Sequence, residues 1–124
     1  MSRSRRSSAR CPEMKSVLPY SNDPPERADI DAMQGALALE FGTGWCGHCQ
    51  AAQAFLQPAL AARQDVRHLR VEDGPGRPLG RSFKVKLWPT LVLLRDGVEV
   101  ARVVRPASRE DVEAALAELE LPAG

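Results

Sequence analysis

The chain has 124 residues and is 44% apolar, enough to bury one core in one domain. Its net charge is +1, unevenly placed: residues 1–15 carry Arg3, Arg5, Arg6, Arg10 and Lys15 against Glu13, a balance of +4, so the remaining 109 residues sum to −3. That body excludes a general nucleic-acid binder, and no run approaches the ~18 apolar residues of a membrane span.

Residues 1–14 are rich in Ser and Arg and cannot offset chain entropy by burial. A disordered basic arm is expected there, with the folded domain at 15–122. No apolar stretch follows the arginines as a secretory signal requires, so a cytoplasmic chain is expected. The arm's composition vaguely resembles an organellar transit peptide, but a solvated tail is the simpler reading. Asn22-Asp23-Pro24-Pro25 reads as a loop, and a short helix should run from Pro25 to Met33, with Ile30 and Met33 on one face. Ala36 to Phe41 reads as a buried central strand, broken by Gly42-Thr43-Gly44. A long helix rich in Ala, Gln and Leu should follow from about Cys46 to Arg63. Val66 to Val71 alternates imperfectly and reads as a strand, and a helical turn covers Leu79 to Phe83. Thr90 to Leu94 is a strong strand, Asp96-Gly97 a hairpin turn, and Val98 to Val104 its partner. Ser108 should cap a last helix with Val112, Ala115, Leu116 and Leu119 on its apolar stripe. The order predicts an α/β fold: a central mixed sheet of four to five strands with helices on both faces.

Trp45-Cys46-Gly47-His48-Cys49 opens the long helix. Two cysteines one turn apart can close a small disulfide ring. Unpaired N–H groups and the positive dipole end favour a thiolate on the first. Cys46 is therefore expected as the exposed nucleophile and Cys49 as the buried resolving thiol. An imidazolium on His48 would favour the Cys46 thiolate; otherwise His48 is a solvent-facing helix residue. A zinc site would need four ligands, and only His48 and His68 are available to join the pair, so no metal is expected. Cys11 in the arm reads as an incidental thiol. No Gly-rich dinucleotide fingerprint occurs, so no cofactor is expected beyond the Cys46–Cys49 couple.

With these motifs in place, the chain resembles the thioredoxin superfamily over about residues 16–121. The resemblance rests on Leu39-Glu40-Phe41 ahead of Trp45 to Cys49, on Trp88-Pro89-Thr90 before an apolar strand, on Arg95-Asp96-Gly97, and on the helix after Ser108. It implies a thioredoxin-like fold. Glu40 takes the place of the family's buried acid and implies a proton acceptor for Cys49. A carboxyl flanked by Leu39 and Phe41 is expected to have a raised pKa. Pro89 takes the place of the cis-proline beside the disulfide, which would leave the preceding backbone free to pair with an extended substrate. Trp45, Gly47 and Trp88 would complete the substrate surface. Gly-His inside the motif is typical of protein disulfide isomerase, where thioredoxin itself usually has Gly-Pro. Pro58 stands one turn beyond the usual helix proline, and Arg105-Pro106 replaces a glycine near the groove.

The reading that follows is a monomeric thiol–disulfide oxidoreductase that reduces protein disulfides and is recycled by a thioredoxin-reductase-type enzyme, with no nucleic acid or membrane partner. The alternatives are a disulfide oxidase or isomerase in an oxidising compartment, favoured by Gly-His, and a non-catalytic interaction module.

Overall fold

The computed structural model describes residues 20–21, 24–44 and 46–120. The expected arm and Trp45 lie outside the described residues. In chain order the elements are α1 (Arg27–Ala32), β1 (Ala36–Gly42), α2 (Gly47–Ala61), β2 (Arg67–Glu72), α3 (Pro78–Ser82), β3 (Thr90–Arg95), β4 (Val98–Val104) and α4 (Arg109–Ala117), closed by a 3-10 turn at Glu118–Glu120.

The strands form one mixed sheet in the order β2-β1-β3-β4. β1 is parallel to β2 and antiparallel to β3, and β3 is antiparallel to β4. Before α1, among the described residues, a single bridge joins Ser21 to Val71 as the trace of a fifth strand. Ser21 donates to the Arg70 carbonyl at 2.8 Å and accepts from the Glu72 amide at 2.9 Å. That ladder fragment holds Tyr20 against the free edge of β2.

Side chains alternate across the sheet, so β1 feeds two cores. Leu37, Leu39 and Phe41 join Val71, Val92 and Leu94 beneath α1 and α3, against Ile30, Leu79 and Phe83. Ala38 faces the other way with Leu91 and Leu93, under Ala52, Leu56 and Ala59 of α2 and Val112 and Leu116 of α4. Glu40 shares the Ala38 face by period two, and so points at α2. Strand alternation thus delivers a buried carboxylate to the face covered by α2.

The ends of the elements follow their chemistry. The hairpin turn has positive φ at both central residues, Asp96 (52°) and Gly97 (83°), as a tight two-residue connection requires. A Cβ at Gly97 would collide with the Asp31 carbonyl, so the position admits only glycine. The Ser108 hydroxyl accepts from the Asp111 amide at 3.3 Å, and the Asp111 carboxylate answers by accepting from the Ala107 amide at 2.9 Å. α2 runs on through Pro58 to Ala61. The first helix is shorter than expected, because Glu26 and Asp29 form a capping box that starts it at Arg27 and Met33 already has extended backbone.

Candidate active site

Cys46 is the N-cap of α2, not its first helical residue. Its sulfur accepts from the Cys49 amide at 3.4 Å, and both thiols are free. Cys46 keeps 8% of its surface and Cys49 1%. The expectation of an exposed nucleophile is thereby corrected: capping the helix turns the Cys46 sulfur inward over the first turn, and only the contrast between the two cysteines survives. Gly47 and His48 are both exposed, and a Cβ at Gly47 would meet nothing within 4 Å.

The two thiols are driven apart. Burial pushes the Cys46 thiol up, but hydrogen bonds from the Cys49 amide, the Cys49 thiol and the His48 amide, together with the Arg105 charge, outweigh it and leave the pKa lowered. Burial dominates at Cys49 and raises its thiol to about 11. His48 acts on Cys46 here through its backbone N–H, with its imidazole facing solvent.

Glu40 is fully buried. Its Oε1 lies 2.9 Å from His68 Nε2. Its Oε2 accepts from the Tyr20 hydroxyl at 2.7 Å, from Gln53 Nε2 at 2.8 Å and from the Arg70 guanidinium at 3.3 Å. The guanidinium stacks over the Tyr20 ring, 4.0 Å from its centroid. Burial raises the Glu40 pKa, but the His68 hydrogen bond, the Arg70 charge and the Tyr20 and Gln53 hydrogen bonds reverse the shift and hold the carboxyl at about 2. The expected upward shift is therefore corrected. Desolvation alone favours the neutral acid, and four converging partners favour the anion more. The Tyr20 phenol is raised in turn, by burial first and then by the charges of Glu40 and Cys49, with Arg70 opposing.

The Trp88–Pro89 peptide is cis. Arg105 Nε donates to the Trp88 carbonyl at 2.8 Å. The Arg105 amide also donates to the Pro89 carbonyl at 2.9 Å. A substrate strand pairing before Pro89 would meet Arg105, the arginine that replaces the family's glycine. Arg105 has left-handed backbone (φ 50°), a conformation glycine adopts without cost. The Trp88 indole donates to Asp73 at 2.8 Å, which ties its ring to the loop after β2, while Leu87 stands 47% exposed beside it.

Tyr20, Gln53, His68, Arg70 and Arg105 are functional candidates that sequence reasoning missed in these roles. His68 and Arg70 carried one usable signal: they sit two apart on a strand, hence on one face. Their target became visible only with the register, which pairs Glu40 with Arg70. Arg105 yields a prediction. Arg105→Ala should raise the Cys46 pKa, and only slightly, since the cation is exposed and screened. The check is the pH profile of Cys46 alkylation, resolved by peptide mass mapping; an unchanged midpoint would remove Arg105 from the site. Among the described residues, no group of three or more His, Cys, Asp or Glu is placed to hold a metal ion.

A thioredoxin family model matches residues 26–118, which span every element from the α1 cap to α4. The chain belongs to the thioredoxin family. The structure of thioredoxin 2 from Pseudomonas aeruginosa PAO1 in its reduced form superposes with a TM-score of 0.76 at 56% identity, covering 84% of this chain and 96% of that one. Protein disulfide-isomerase A2 of Pongo abelii is 47% identical over 66 residues, which is 50% of this chain and 13% of the isomerase. The thioredoxin of Chlamydia pneumoniae is 29% identical over 85 residues, 68% of this chain and 83% of that protein. The chain thus spans only a small part of the isomerase it matches. As a thioredoxin-family domain it places the Cys46–Cys49 pair, the cis Trp88–Pro89 bond and the buried Glu40 in one frame. No helix among the described residues is long and apolar enough to cross a membrane.

Proposed function

We propose that this protein is a thiol–disulfide oxidoreductase that reduces protein disulfides through Cys46 and Cys49, with no cofactor beyond that couple. The observation that carries the reading is the opposed shift of two thiols on one helical turn, with Cys46 lowered and Cys49 raised. The thiolate is the attacking species in exchange, so the asymmetry supports this order of events. Cys46 attacks a substrate disulfide and releases the first substrate thiolate. Cys49 then attacks the Cys46 sulfur, closes the intramolecular disulfide and releases the second. A reductase of the thioredoxin-reductase type returns the couple to the dithiol. Gly47, Trp88, Pro89 and Trp45 form the substrate surface in this reading, and His48 helps to tune the thiolate. Glu40 enters as a fixed anion and not as the resting place of the Cys49 proton: a carboxyl near 2 is far too weak a base to take a proton from a thiol near 11. We take the domain as residues 15–122, monomeric and cytoplasmic, with residues 1–14 as an appended arm.

In the test, full-length protein and Cys46→Ser are compared for reduction of insulin disulfides by dithiothreitol. Turnover is expected in the wild type and only the uncatalysed background in the variant. Equal rates in both would end the enzyme reading. An oxidase or isomerase role is favoured by Gly-His within the motif and by the isomerase match. The reduction potential separates the directions: a value near the thioredoxin figure of about −270 mV fits a reductase, and one near about −180 mV fits an isomerase.

A further inference from the structure

We propose that the Tyr20 hydroxyl is a rotatable hydrogen-bond donor shared between Glu40 and Cys49, and that it stabilises the Cys49 thiolate as that thiolate attacks the Cys46–substrate disulfide. The proposal rests on the dithiol chemistry given above and adds a residue to it from outside the motif. A Cβ at Gly42 would fall 2.8 Å from the Tyr20 hydroxyl oxygen and 2.5 Å from the Cys49 sulfur, so the two atoms close over the same bare backbone position. The hydroxyl oxygen is also 2.7 Å from Glu40 Oε2. The Tyr20 hydroxyl thus stands beside the Cys49 sulfur, and its presence there works against the upward shift of that thiol. Tyr20 is held in this place by the Ser21 bridge to β2 and by its stack with Arg70.

A phenol has one proton to donate. In the resting dithiol it goes to Glu40. When Cys49 ionises, two anions compete for it, and Glu40 can yield at little cost. Its Oε1 retains His68 and its Oε2 retains Gln53 and Arg70. Among the described residues, the Thr43 amide also reaches the Cys49 sulfur. Rotation about the phenolic C–O bond then delivers the proton to the buried sulfur. Among the described residues, the titratable and charged groups around Cys49 are Cys46 on its own helix, Tyr20 at the β2 edge, and Glu40 behind Tyr20 with His68 and Arg70. Arg105 acts on the Cys46 side.

The step balances without a proton on Glu40. The Cys46 thiolate attacks one substrate sulfur, and the departing first substrate thiolate takes up the proton that Cys49 releases. The Cys49 thiolate forms a bond to the Cys46 sulfur, and the bond from Cys46 to the second substrate sulfur breaks. That second thiolate leaves and is protonated by water. The dithiol is oxidised by two electrons and the substrate disulfide is reduced by two.

Tyr20 is the chain's only tyrosine, so fluorotyrosine supplied during expression replaces it alone. Fluorination makes the phenol a stronger donor and leaves its shape nearly intact. In a Cys46→Ser background, Cys49 alkylation by iodoacetamide is followed against pH, with peptide mapping to separate it from Cys11. Tyr20→Phe is expected to slow Cys49 alkylation about tenfold at a fixed pH below its midpoint, the loss of one charge-assisted hydrogen bond. Release of substrate from the mixed disulfide, in protein with Cys46 restored, should slow by a similar factor. Fluorotyrosine should quicken both, and Cys46 alkylation should not move in either protein. The proposal is overturned if Phe leaves Cys49 unchanged, if fluorotyrosine slows it, or if Cys46 reactivity falls in step with Cys49. Should Tyr20→Phe fail to fold, fluorotyrosine alone decides. Failure of the enzyme reading looks different: the wild type would not turn over insulin, while the dependence of Cys49 on Tyr20 would persist.

Discussion

Cys49→Ser should turn the protein from a catalyst into a trap. The Cys46 thiolate keeps its backbone donors, because the Cys49 and His48 amides belong to the helix start and not to the lost side chain. It still attacks a substrate disulfide, but no sulfur remains one turn away to attack it in return. The expected result is a stable mixed disulfide through Cys46, seen by mass spectrometry as the protein plus its substrate and released by dithiothreitol. Catalysed insulin reduction should fall to background. Serine keeps a hydroxyl donor where the Cys49 thiol stood, so capture should stay close to the wild-type rate. A variant that still turned over at the wild-type rate would show that resolution comes from elsewhere, with Cys11 the remaining candidate in the chain.

The second large effect concerns stability. Glu40 titrates near 2 in the folded protein, against an ordinary 4.5. A depressed folded pKa contributes stability that is complete above the unfolded value and is lost as pH falls through the folded one. The shift is worth about 3 kcal/mol at neutral pH. Glu40→Gln keeps the volume and removes the charge, and it also turns an amide donor toward partners that already donate. It leaves Arg70, whose side chain is only 8% exposed, without its buried counter-charge. Urea unfolding at pH 7 should show a loss of about 3 kcal/mol relative to wild type. The gap should begin to close below about pH 4.5 and be nearly gone at pH 2. A gap of the same size at both extremes would mean that packing, and not the carboxylate charge, is what the residue supplies.

Much of this was legible in the chain itself. The apolar run at β1, the Asp96-Gly97 turn and the Ser108 cap are local, and local chemistry was enough to read them. The same holds for the Cys46–Cys49 pair. A helix start makes its own donors, so the thiolate preference of the first cysteine follows from its position in the sequence. The errors also have local causes. A cysteine at the head of a helix reads as exposed, yet as N-cap it folds back over the first turn. A glutamate between Leu39 and Phe41 reads as a desolvated acid with a raised pKa, because the sequence shows its apolar neighbours and hides its polar ones.

What the tertiary structure decided is the state of that glutamate and of the second thiol. Tyr20, Gln53, His68 and Arg70 are 20, 13, 28 and 30 residues from Glu40 in the chain. The parallel β1–β2 register sets Arg70 opposite Glu40, and the Ser21 bridge lays Tyr20 over both. The loop after β4 likewise returns Arg105 to the Trp88 carbonyl and the Cys46 thiolate. Sequence by itself determined that two sulfurs would share a helical turn, the spacing that the proposed exchange chemistry requires. Which charges and hydroxyls surround those sulfurs depended on strand pairing over long separations, where the ionisation of a buried group is set by partners in space and not by neighbours in the chain.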